Sequence, residues 1–318
     1  MRLRGERDLL NETLRVAAPA RGSALLVLAA AVLWGTSGSS QELLGGAVNP
    51  LVVGALRTIV GGAVLLAVAM LAARGDALPT LARAEARVPL LIAGVCIALY
   101  QVTFFFGVQL LGIAVGTIVA IAATPFAASA VSIALGQGRP TGVWFGTTAL
   151  AVVGLVLLVR PEGDTTVSLA GIAAALTAGL SFGTFTVLTK GLLARGLRRL
   201  ETVAFPFVVA GVLLIPALVL GLVRSDDPAA VIRAPGVFVV LWLAVAATAL
   251  GYVLFAAGLG GVSAVTGATL VLAEPLTATL LGVLVFTERL GPPAVVGASL
   301  VAVALLVTAV RPDIGPAR

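Results

Sequence analysis

The fold is decided by two short stretches, Ala122-Ala123-Thr124-Pro125-Phe126 and Leu272-Ala273-Glu274-Pro275-Leu276, which lie 150 residues apart. Each sits in the middle of a long apolar run, where a proline is conspicuous. The same spacing pairs Ala114-Val115 with Ala264-Val265 and Arg139 with Arg289. Trp34-Gly35-Thr36 is echoed 148 residues on by Phe182-Gly183-Thr184, and Phe104 and Gly107 are echoed 151 residues on by Phe255 and Gly258. A period near 150 in a chain of 318 residues means two copies of one unit.

Composition identifies the medium. Residues of the AVILMFWYC set make up 60% of the chain, charged residues 11%, and the mean hydropathy is +1.15. A water-soluble globule could not cover that much apolar surface with so few charges. The chain is therefore expected to be an all-α integral membrane protein of the inner membrane. Spanning the hydrocarbon takes about 20 apolar residues per helix. Ten spans fit the length: 23–41, 50–73, 88–108, 114–135, 141–159, 168–189, 201–222, 236–257, 263–286 and 292–310, separated by turn or charge signals such as Asn49-Pro50, Arg74-Gly75-Asp76 and Gly138-Arg139-Pro140. Five helices per copy is an odd number, so the second copy enters the membrane in the opposite sense. The expected architecture is two inverted five-helix repeats, 23–160 and 168–310, between a polar tail (1–22) and a short C-terminal tail (311–318).

Orientation follows from basic residues. With the N-terminus inside, fifteen Lys and Arg fall on the cytoplasmic side and four outside, so both termini are expected in the cytoplasm. The same pattern accounts for the net charge of +6, which would otherwise suggest nucleic acid; no nucleic-acid partner is expected.

Several chemistries are excluded. There is no histidine, the single cysteine (Cys96) has no partner, and the only lysine, Lys190, stands in Thr-Lys-Gly rather than in a phosphate loop. Asp226-Asp227 has no second acidic motif to share a metal with. No metal, no cofactor and no enzymatic activity are expected. A polytopic enzyme would need a nucleophile–base pair that the chain lacks; a channel stands as a further alternative.

Glu274 is the first candidate for function, because a charge near the bilayer centre is costly and generally faces a cavity or a partner. Helical rise from Ser263 puts it about 16 Å from the inner surface. It is either a ligand for a substrate ammonium or a proton-exchanging group, or else a structural carboxylate bonded to a neighbouring helix. Arg57 falls about 10 Å below the outer surface by the same rise, close enough in depth to pair with Glu274 or to bracket an amino acid with it; alternatively it snorkels outward. Pro125 and Pro275 are expected to break their helices and free the carbonyls of Ile121 and Val271. Trp34, Ser37 and Gln41 share one face of the first helix. Further polar candidates are Thr36, Ser40, Tyr100, Gln101, Gln109, Thr184, Thr186, Thr189 and Tyr252, for each of which, taken alone, helix packing or the membrane interface is the commoner role. Gly142 with Gly146, and Ala298 with Ala302, are small-residue steps expected to join the fifth and tenth helices or two molecules, so monomer and dimer both stay open.

Taken together, Trp34-Gly35, Asn49-Pro50 with Arg57, Gly112 to Val115 with Pro125, Ala273-Glu274-Pro275-Leu276 and the duplication resemble the drug/metabolite transporter superfamily, specifically its EamA-type ten-helix permeases, over roughly 24–310. The resemblance implies gradient-linked or facilitated movement of amino acids and other small metabolites, in the outward direction. It also implies a central cavity lined by helices one to four and six to nine, with five and ten packed to the side. The first copy carries Thr124 where the second has Glu274, so an acid-dependent mechanism rests on one carboxylate. Amino acids or similar amphiphiles are the first expectation for the substrate, and hydrophobic cations the second.

Overall fold

A computed structural model describes residues 2–44, 46–73, 83–158, 168–287 and 289–311, with no side-chain description for 2–20, Glu42 and Phe286. Every extended regular element among them is helical. The helices are α1 (Arg2–Glu42), α2 (Pro50–Ala72), α3 (Ala84–Leu111), α4 (Ile113–Ala134), α5 (Gly142–Leu158) and α6 (Leu169–Ala194). They continue as α7a (Arg199–Leu213), α7b (Ile215–Val223), α8 (Gly236–Leu259), α9a (Ala264–Leu270), α9b (Ala273–Phe286) and α10 (Pro292–Val310). Among the described residues, eight helical segments are long and apolar enough to cross a membrane. The α7a–α7b pair makes a ninth, bent by 46°, while α5 is shorter at 17 residues. The expected loops around Arg74-Gly75-Asp76 and Arg160, and the tail after Arg311, lie outside the described residues.

Local chemistry explains most boundaries. Pro50 occupies the first turn of α2, where its missing N–H costs nothing, and Asn49 caps the Leu51 N–H. Gly112 alone joins α3 to α4 at φ +80°, a conformation that disfavours any Cβ. Ser168 caps α6 and Ser263 caps α9a. The expected N-terminal tail is helical in continuity with α1. The expected seventh span is interrupted at Leu214, just before Pro216.

Glycine contacts show the two-fold relation between the copies. A Cβ on Gly35 would lie 2.7 Å from the carbonyl oxygen of Glu274, and one on Gly183 would lie 2.8 Å from that of Thr124. Gly107 presses on Ala175 as Gly258 presses on Val27; Gly116 meets Val108 as Gly267 meets Leu259. In each case the partners are themselves counterparts at the sequence offsets of 148 to 151. Elements on the axis pair with themselves: Gly62 of α2 meets Val208 of α7a while Gly211 meets Ile59, and Gly154 of α5 and Gly297 of α10 meet reciprocally. These close approaches bring backbones together where small residues permit it, the usual basis of helix association in lipid. Gly142 and Gly146 do not take part: nothing lies within 4 Å of a Cβ at either, so the α5–α10 contact is made at Gly154 and Gly297 instead of the expected step.

Candidate functional site: a central cavity holding Arg57 and Glu274

The helices enclose a cavity of about 510 Å3 at the centre. That is within the range of pockets that hold small molecules, about 300–1,000 Å3. α1, α2, α3, α4, α6, α8 and α9 all contribute to its wall, and α5, α7 and α10 do not. Its mouth lies at the end of the molecule carrying the α1–α2 and α3–α4 connections, where Leu44, Gly46, Val48 and Ile113 line it. The opposite end holds the α8–α9 turn, since Gly258 packs on Ser23 and Val27 at the start of the α1 span.

Glu274 and Arg57 both face this space, together with Trp34, Ser37, Gln41, Tyr100, Gln101, Tyr252 and Pro275. Of the readings open for Arg57, direct pairing with Glu274 is not formed: no nitrogen of Arg57 comes within 4.0 Å of the carboxylate, and the ion pairs recorded among the described residues are Arg198–Glu201 and Arg233–Asp227. Arg57 instead donates one hydrogen bond, from Nη1 to Ser37 Oγ at 3.3 Å, and its Nε is buried without a partner. Among the described residues, the Glu274 side chain has no hydrogen-bond partner.

Several of the other polar groups on the wall are already committed, while the hydroxyls of Tyr100, Thr117 and Tyr252 also face the space. Gln101 Nε2 donates to the Gly54 carbonyl and to Thr58 Oγ1, both at 2.9 Å, which fastens α3 to α2. Gln41 donates to the Ser37 carbonyl, and Thr124 Oγ1 to that of Ala120. Trp34 Nε1 donates to the Ala247 carbonyl at 2.8 Å. Ala247 belongs to a π-helical stretch, Trp242–Leu250, whose looser winding alters the carbonyl ladder. A ligand in the cavity thus meets two charges of opposite sign that do not neutralise each other.

Below Trp34 the cavity is closed by aromatic rings. Trp34 lies 4.7 Å from Tyr252, 5.3 Å from Phe255 and 5.7 Å from Phe182, centroid to centroid. Phe207 continues the stack at 4.3 Å from Tyr252, and Tyr100 joins it at 5.4 Å from Phe182. In a chain with 5% aromatic residues this concentration is a distinct feature. Such ring pairs contribute about 0.5–1.5 kcal/mol each beyond burial.

Some expectations are corrected. Thr184 is not on the cavity; its hydroxyl bonds to the Leu180 carbonyl of its own helix. Thr36, Ser40 and Gln109 lie off it too, Thr36 accepting from Trp242 Nε1. Pro125 breaks nothing: α4 runs through it, although its neighbours Ile121 and Thr124 line the cavity. α9 is interrupted, between Leu270 and Ala273, but the Val271 carbonyl is not free, since it accepts from the Glu274 N–H at 2.9 Å. Sequence reasoning passed over Phe105 and Thr117 on the wall; the Gly54 that makes room for Phe105 was the available signal.

The EamA-like transporter family model matches residues 21–160 and 169–310, one match for each copy. The chain belongs to the EamA-like transporter family. Its relatives include the "Uncharacterized transporter YwfM" of Bacillus subtilis (strain 168), 37% identical over 292 residues that cover 91% of this chain and 94% of that protein. A solved structure described only as "Crystal structure of protein" matches with a TM-score of 0.74 at 20% identity, covering 90% of this chain and 96% of the other, a likeness of fold. This EamA-like chain is thus a multi-pass membrane transporter and not an enzyme.

Proposed function

We propose that this protein is a secondary transporter that exports amino acids or similar small zwitterionic metabolites by alternating access. The observation that carries the reading is the unpaired couple of charges: Arg57 and Glu274 face one cavity without forming an ion pair, while Gln41, Gln101 and the Trp34 indole N–H are bonded elsewhere. A carboxylate set at Arg57 and an ammonium set at Glu274 would satisfy two buried charges at once, which neither charge achieves alone. The apolar remainder of such a ligand would rest on the Trp34 and Tyr100 rings. Ten spans with both termini in the cytoplasm, as two inverted units of 23–160 and 168–310, make this an outward-open state, because the mouth at the α1–α2 connection then faces away from the cytoplasm.

The aromatic floor beside Glu274 supports a second reading, efflux of hydrophobic cations held by the carboxylate and by ring faces. Proteoliposome flux separates the two. An apolar amino acid, its decarboxylated amine and its N-acetyl derivative are compared, each labelled. The amino acid is expected to move at least tenfold faster than either derivative, with Arg57→Lys and Glu274→Gln each removing that preference. Equal flux of the amine and the amino acid would overturn the zwitterion reading in favour of cations. No saturable flux of any of the three would overturn both.

A further inference from the structure

The transport reading leaves the only lysine of the chain without a role. Lys190 lies near the end of α6, half-buried, at the end of the molecule opposite the cavity mouth. Its Nζ donates to the Leu259 carbonyl at 2.8 Å and more weakly to that of Gly260 at 3.4 Å. Leu259 is the last residue of α8, so the ammonium caps a helix C-terminus, where the unpaired carbonyls and the dipole both favour a cation. The bond ties α6 to the α8–α9 turn.

The repeat makes this tie informative, because it shows what the same elements do without it. α6 packs against α8 and α9a, whereas their counterparts are parted: α1 has no comparable packing on α3 or α4, and the cavity opens between them. The closed side is zipped by Phe185 and Tyr252, 5.8 Å apart, and by Val187 against Ala264 and Ala268. It also contains a cost, since the hydroxyl of Thr189, next to Lys190, is fully buried with no partner. The counterpart of Thr189 is Gln41, which lies on the open cavity wall. The counterpart of Lys190 in the sequence is Glu42, a residue type that as a carboxylate has no proton to give to a helix terminus.

We infer that Lys190 is a latch that holds the α6–α8–α9a side shut, and that its release lets this side open as the α1–α3–α4 side is open now. The inference rests on the alternating-access reading. Opening would part α6 from α8, uncover the aromatic floor from below and hydrate the Thr189 hydroxyl. The gate would be biased closed by the charge-assisted bonds to Leu259 and Gly260. Arg199, whose guanidinium lies 3.6 Å from the site of a Cβ on Gly260, borders the same turn from α7a. Arg199 is unaltered in sequence in a Lys190 variant, so a change in gating reads the loss of the lysine's bonds against that constant neighbour.

The test uses the full chain in proteoliposomes, with Cys96→Ala removing the native thiol and one reporter cysteine added: Thr189→Cys for the latched side, or Gln41→Cys for the open side. A membrane-impermeant maleimide is applied to one face at a time. Lys190→Met is expected to speed labelling at position 189 at least tenfold and to slow it at position 41, while Lys190→Arg, which still donates, stays within threefold of the parent at both. Lys190→Gln, with an uncharged donor, falls between them and carries the test should the methionine variant fail to assemble. Unchanged rates at both reporters in Met and Gln variants that keep a monodisperse elution profile would overturn the latch, as would an arginine variant as fast as methionine. Failure of the underlying reading looks different: labelling at both reporters would then also be indifferent to saturating substrate in the parent protein.

Discussion

At the residue scale, the two glycines that follow Trp34 and Phe182 do the same work in each copy. Each lets a helix touch the carbonyl that precedes a proline, at Glu274 and at Thr124. A methyl group on Gly35 would sit 2.6 Å from Thr277 Cβ as well, and neither the helix backbone nor a β-branched neighbour can yield cheaply. Gly35→Ala is therefore expected to lose about 1–3 kcal/mol through overpacking. Gly146→Ala, with open space around it, should be neutral or gain about 0.5–1 kcal/mol from helix propensity. Thermal melting in one detergent compares them, and equal shifts for the two variants would refute the close-contact account. Such residues were legible in the sequence because the duplication repeats them. Glu274 and Arg57 were legible because a charge in an apolar run is expensive. Their failure to pair was not, since depth along a helix gives no information about the side chains between two walls.

At the element scale, hydropathy located the spans but not their interruptions. Pro216 marks the break in α7, yet Pro125 sits in an unbroken helix, because lipid-embedded helices absorb a proline where neighbours compensate. The π-helical stretch of α8 has no proline and no glycine to announce it, and it is what presents Ala247 to Trp34. The break in α9 has a consequence for which half of that helix is held fast. Thr269 of α9a receives Trp144 Nε1 at 2.8 Å and shares a hydrogen bond with Thr148 at 3.2 Å, all buried, so α5 anchors α9a just before the break. α9b, which carries Glu274, is held by α1 instead. Thr269→Val strands the indole N–H in a buried setting, at a cost of about 1–3 kcal/mol. The expected outcome is a lower melting temperature with the binding preference for the amino acid over its amine retained. Loss of that preference at unchanged stability would contradict the division of α9 into an anchored and a ligand-bearing half.

At the scale of the whole molecule, the two copies agree in backbone and disagree in chemistry. The groups near the open end, Ser37, Gln41, Arg57 and Gln101, have as counterparts Phe185, Thr189, Pro206 and Tyr252. The open half therefore carries polar groups on its wall where the closed half has an aromatic plug built on the same frame. That polarisation cannot be read from either copy alone, and the sequence shows it only after the contacts fix the register between them. It also implies that closing the mouth requires α1 to approach α3, reproducing the approach of α6 to α8. Position 41 on α1 and Val108 on α3 face the cavity now, and Val108 is the counterpart of Leu259, the acceptor at the closed end. In a Cys96→Ala background, Gln41→Cys with Val108→Cys should be joined by a short bifunctional thiol reagent, more rapidly when substrate cycles the carrier. Joining should stop flux, and a reducible reagent should allow flux to return on reduction. A pair that is joined at full efficiency while flux continues unchanged would show that the mouth does not have to move, and the exchange of roles between the two copies would be excluded.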